Sequence, residues 1–253
     1  MTRITSHRFR ARLKSKVIVS AVGQIRASRK HRPWRRGVPP REDVDVLQQI
    51  RTAAGPGTRL MLDLGRPTPL DEAIQVARLI EGSGANIFWW EEPLCSTDDL
   101  ENLAELRQRS DLAIAAGERE MTAFACYGLI QRRAVDLLQP DLTWVGGLTE
   151  GRRIAEAARL ARLPWVPHCW GTALHFAATV HWVAASPEGL LCEYPITPRT
   201  AQTRETKTPS PMMTDLVRES VKIIDGKAIV PTGPGLGVEL DEDALARYDL
   251  THR

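Results

Sequence analysis

Acidic residues are missing from the first 36 positions. Twelve of the 34 Lys and Arg residues fall there, while the other 22 share the rest of the chain with all 31 Asp and Glu, so the net charge of +3 hides a basic arm on an acidic body. A basic arm can bind nucleic acid or an anionic surface. Its only aromatics, however, are Phe9 and Trp34, too few for a stacking series, and it carries no nucleic-acid fold signature, which argues against a nucleic-acid partner. Residues 1–37 are therefore read as a basic, poorly defined N-terminal segment, in which only Lys16–Ala21 has the pattern of a strand. Long apolar runs are also missing. Nothing approaches a transmembrane span and the basic N-terminus lacks the apolar core of a signal peptide, so no membrane role is expected. Cysteine is sparse: Cys95, Cys126, Cys169 and Cys192 form no CxxC pair, which excludes a zinc ribbon or disulfide framework and suits reduced thiols in a cytoplasmic protein.

What is present is a repeat of strand, polar residue and helix. Asn86 to Trp90 is short, aromatic and bounded by Gly84 and Pro93, the pattern of a buried strand, and it runs into Glu91 and Glu92. Two carboxylates at such a strand end are costly unless positive charge meets them. Other apolar segments end alike: 59–62 at Asp63, 112–117 at Glu118, 135–140 at Asp141, 163–167 at His168 and 190–192 at Glu193, at intervals of 28, 27, 23, 27 and 25 residues. Each interval holds one helix and two loops. Parallel strands repeated in this way close as a (β/α) barrel, whose chemistry gathers at the C-terminal ends of the strands. The chain is long enough for one such barrel.

Helices are expected between these strands. Pro39-Pro40 followed by acids, with Val44, Leu47 and Ile50 at helical spacing and Gly55-Pro-Gly57 beyond, marks one. Residues 69–81 repeat the design, with Ala73, Ala77 and Ile80 inward. Thr97 is the expected N-cap of a helix through Arg109. Residues 122–133, 149–162 and 172–185 supply further helices; His175 and His181, on the last, read as structural histidines.

Asp63, Trp90-Glu-Glu-Pro93, Ala116-Gly-Glu118, Gln139-Pro-Asp141 with Gly146-Gly147, Pro167-His168, Glu193-Tyr194 and the Gly233 to Glu239 segment together resemble the mandelate racemase/muconate lactonizing enzyme branch of the enolase superfamily, over roughly residues 38–248. The resemblance implies a TIM-type (β/α)7β barrel, here expected to be incomplete at its N-terminus, spanning residues 38–253. It also implies that Asp63, Glu91 and Glu118 bind Mg²⁺, that Asp141 with His168 is the acid/base pair, and that Glu193 helps hold the enolate. Mg²⁺ suits such a set, since it takes hard oxygen ligands and keeps positions for substrate oxygens. Glu92 is placed behind the ligands, with Arg119 as the basic group that meets it or the substrate.

Removing the proton α to a carboxylate makes a dianion that a metal can stabilise. A histidine base with Mg²⁺ is the established pattern for this superfamily. Two departures narrow the expectation. Where active members carry Lys-x-Lys on the second strand, this chain has Pro33-Trp34-Arg35; Arg35 can hold a substrate carboxylate but, staying protonated, is no base. Racemisation needs a base on each face of the α-carbon, whereas elimination of water can use one histidine as base and then acid. The second departure is length: the family's capping domain and first barrel strand have no recognised counterpart. The resulting expectation is a Mg²⁺-dependent sugar-acid dehydratase acting on a small-molecule carboxylate, and a homo-oligomer, since the family assembles into oligomers. The alternatives are a cycloisomerase or epimerase of the same superfamily, or a catalytically silent barrel fragment with a basic interaction arm.

Overall fold

A computed structural model describes residues 16–21, 41–63, 68–94, 99–189, 191–194 and 214–249. Helices alternate with short strands: β1 (Lys16–Ala21), α1 (Arg41–Ala54), β2 (Leu60–Asp63), α2 (Leu70–Gly82), β3 (Ile87–Glu91), α3 (Leu100–Arg109), β4 (Ile114–Ala116), α4 (Thr122–Gln131) and β5 (Leu137–Leu138). Then come α5 (Leu142–Val145), α6 (Leu148–Ala161), α7 (Ala173–Ala185), β6 (Cys192–Tyr194), the hairpin β7 (Ile223–Ile224) and β8 (Lys227–Ile229), and α8 (Glu242–Tyr248). Among the described residues no helix is long and apolar enough to cross a membrane.

Strands β2, β3, β4 and β5 pair in that order, all parallel. The succession continues through single parallel bridges, Leu138 with Trp165 and Trp165 with Gly189, to the segment carrying β6, and β6 pairs parallel with β1. This is a barrel wall read in chain order. The strand expected over 163–167 is reduced to those bridges because Pro164 and Pro167 have no N–H to give a ladder. Lys16–Ala21 is a strand, as its β-branched run predicts, and its parallel pairing with β6 gives it the place of a first barrel strand, correcting the expectation that this strand has no counterpart. Its earlier residues pair antiparallel with β8. Among the described residues no pairing joins β1 to β2, and residues 22–40 between them lie outside those described.

The two-residue period of strands sorts the side chains onto two faces. Trp89, Ala115, Leu137, Val166 and Leu191 form one small buried cluster with Met61 against it, the filling of the barrel. Their sequence neighbours Trp90, Ile114, Ala116, Leu138, Trp165 and Cys192 join a larger core with Ala77, Leu103, Leu129, Ile154 and Val180 of the surrounding helices. Helices follow the apolar periodicity: α2 buries Ala73, Ala77 and Ile80, and α7 starts at the N-cap Thr172, whose hydroxyl accepts the His175 N–H. Thr97 lies outside the described residues; α3 follows Asp99. At the other end of the strands, Arg51 of α1 donates to the carbonyls of Gly55, Thr58, Ala85 and Asn86, pinning the loops that lead into β2 and β3.

Candidate functional site

One step of two beyond the barrel filling lies the site. Met61, Trp89, Leu137, Val166 and Leu191 point inward, so Asp63, Glu91, Gln139, His168 and Glu193, each two residues on, stand on the inner side at the C-terminal ends of the strands. Glu118 follows Gly117, whose φ of +127° breaks the alternation; a Cβ there would press on the Gln139 nitrogen and the Leu138 side chain at 3.4 Å.

Glu91 is 5% exposed. Its Oε2 accepts from Gln139 Nε2 at 2.8 Å and from Trp89 Nε1 at 3.3 Å. Burial, then the fields of Glu193, Asp63 and Glu118, push its pKa up to about 8 against the Gln139 hydrogen bond. Asp63 and Glu118 thus lie within electrostatic reach of Glu91. Glu92 turns back, with φ +44°, to accept the Gly117 N–H at 2.7 Å. Its other oxygen has no hydrogen bond, and burial lifts its pKa to about 7. Arg119 bonds Glu118 at 3.3 Å and reaches Glu92 only through its field, so of the two roles expected for it, direct contact with Glu92 is not made. Arg35 lies outside the described residues.

His168 and Asp141 meet as expected, with Nδ1 2.6 Å from Oδ2. Asp141, 1% exposed, is also the N-cap of α5: its Oδ1 accepts the Thr143 N–H at 2.6 Å and the Thr143 hydroxyl at 2.5 Å. Against burial, His168, His175 and Thr143 hold its pKa below the usual range. The other His168 nitrogen, Nε2, faces Glu118 Oε2 at 3.5 Å. Burial disfavours the imidazolium, but the Asp141 hydrogen bond and the fields of Glu193, Glu118 and Asp141 outweigh it and raise His168 to about 10. Glu193 accepts the Cys169 N–H at 2.7 Å, and its pKa is raised by burial against the pull of His168.

The donors fit Mg²⁺ in kind, being carboxylate oxygens whose fields overlap. Among the described residues, however, no three His, Cys, Asp or Glu side chains are drawn together closely enough to hold an ion as they stand. Two neighbours were not anticipated from the sequence. Gln139 shares the phase of Glu91 and is found by counting two from Leu137. His175, read as structural, brings Nε2 to 3.3 Å from Asp141 Oδ1, whereas His181 is structural, bonded to the Leu236 carbonyl at 3.1 Å.

A parallel barrel wall with acids and an Asp141–His168 contact at its carboxyl end defines an α/β barrel whose polar residues gather at one end. The chain belongs to the enolase C-terminal domain-like family, whose model matches residues 5–244, starting well before residue 38, and within it to the mandelate racemase/muconate lactonizing branch. It is 34% identical over 209 residues to D-galactarolactone cycloisomerase of Agrobacterium fabrum, covering 83% of this chain and 54% of that protein. The structure of a mandelate racemase/muconate lactonizing enzyme-like protein from Rubrobacter xylanophilus superposes with TM-score 0.74 at 31% identity, over 93% of this chain and 58% of that one. L-Talarate dehydratase from Polaromonas sp. JS666, solved with Mg and L-glucarate, gives TM-score 0.67 at 32% identity, over 83% and 52%. The chain spans about half the length of the curated relatives it matches.

Proposed function

We propose that this chain carries the metal and proton-transfer residues of a sugar-acid dehydratase. The observation that supports it most is the 2.6 Å contact of His168 Nδ1 with Asp141, which leaves Nε2 turned toward the carboxylates. Asp141 fixes the tautomer and steadies the charge on the ring. His168 Nε2 exchanges the proton at the substrate α-carbon and then protonates the departing hydroxyl. Glu193, buried at the neighbouring strand end with its pKa raised by burial, helps hold the oxygen that becomes anionic. Mg²⁺ held by Asp63, Glu91 and Glu118 would supply positive charge beside the substrate carboxylate and offset the negative field that keeps His168 protonated. Arg119, half-exposed beside Glu118, would meet a substrate carboxylate, and Arg35 is retained for the same role from its sequence. The described cysteines are free and buried, as suits a reducing cytoplasm.

The test is solvent deuterium exchange at the α-carbon of a panel of aldonic and aldaric acids with Mg²⁺, followed by assay of 2-keto products. The expected outcome is exchange that falls about 10²- to 10⁴-fold in His168→Asn. Exchange at the parental rate in that variant overturns the assignment. The 34% identity to a cycloisomerase favours a second reading with the same residues, in which the product is an isomer and no water is lost.

A further inference from the structure

Behind the Asp141–His168 pair lies a second histidine. His175 is 6% exposed and both its ring nitrogens are buried without an aligned hydrogen bond, an arrangement a purely structural histidine avoids. Its Nε2 stands 3.3 Å from Asp141 Oδ1, close enough for charge attraction. Asp141 is thus held on two sides: Oδ2 by His168, and Oδ1 by Thr143 with His175. The position of the His175 ring depends on Gly171, since a Cβ on that residue would fall 2.4 Å from His175 Nδ1 and 3.1 Å from its Cγ, closer than non-bonded atoms approach.

We propose that His175 is a positioning residue for the proton-transfer pair: seated against Gly171, it clamps Asp141 Oδ1 so that Oδ2 faces His168 Nδ1. This rests on reading Asp141 and His168 as that pair. Cys169 lies beyond the ring. Its thiol interacts with the imidazole without an aligned hydrogen bond, so the ring is flanked by Asp141 and Cys169. A histidine so placed favours ionised Asp141 without touching substrate. Thr143 and His175 hold the same Asp141 oxygen from two directions.

The experiment uses the ¹⁵N-histidine-labelled chain by itself, without substrate or metal, so its outcome does not depend on turnover. The short Nδ1–H to Asp141 contact of His168 should give a far-downfield proton resonance. In His175→Phe this resonance should move upfield and exchange with water up to about tenfold faster, the scale of losing one polar contact to Asp141. His175→Gln, whose amide nitrogen takes the place of Nε2, should restore it. Gly171→Ala, which keeps the histidine but displaces it, should act like His175→Phe and serves in its place if that variant does not fold. An unchanged His168 resonance in folded His175→Phe or Gly171→Ala overturns the proposal, as does failure of His175→Gln to rescue. Loss of deuterium exchange in His168→Asn is a separate outcome, which bears only on the proposed function.

Discussion

Replacing Glu91 by Gln tests whether the acids really share one buried field. With divalent ions removed by chelation, a carboxyl whose pKa is raised from 4.5 to about 8 keeps its proton in the folded chain over a range where the unfolded chain has released it. The folded state binds more protons between those two values, so stability is intact below pH 4.5 and falls as pH rises toward 8. At roughly 1.4 kcal/mol per pH unit, the full loss is on the order of 5 kcal/mol, a large part of a domain's stability. Glutamine keeps an oxygen for Gln139 and Trp89 and removes the titration. Glu92 and His168, also raised, tilt both proteins alike, so the difference between the two curves isolates Glu91. Urea unfolding from about pH 5 to about pH 8.5 measures that difference, which should grow with pH in favour of the variant. Parallel curves would show that Glu91 is ionised normally and that the site is more open than its burial indicates.

Two further outcomes follow from the same geometry. Mg²⁺ titration by calorimetry should show binding that weakens sharply in Glu118→Gln, and unchanged affinity removes that residue from the ligand set. Gly151→Ala in α6 would place a methyl 2.7 Å from Leu142 Cδ2 and 3.0 Å from the Trp182 ring, so it should destabilise by about 1 to 3 kcal/mol in urea unfolding without altering Mg²⁺ affinity.

The wall of the barrel was legible because apolar runs ending in polar residues recur at near-constant intervals, and because a period of two tells which of Trp89 and Trp90 faces the filling. Phase also fixed the inner position of Glu91, His168 and Glu193. Three features were not legible. The bridges at Trp165 replace a strand because prolines interrupt the ladder, while the position of Glu118 depends on a backbone turn at Gly117 that no side-chain pattern reports. His175 escaped because it lies on a helix whose apolar face it shares, and only the packing of α7 beside α5 shows what it touches.

One pairing bears on how the chain comes to be folded. Ser20 pairs with Glu193 and Lys16 with Ile229, so the earliest described strand is held by residues made long after it. Contacts this distant in sequence form slowly, because closing so large a loop costs chain entropy before any pairing repays it. During synthesis Lys16–Ala21 must wait, a β-branched segment without its ladder, while β2 to β5 can assemble from neighbours already made. The sharing of one short strand between β6 and β8 thus makes closure of the wall at β1 depend on segments made much later, and makes Lys16–Ala21 a natural client for a chaperone until then.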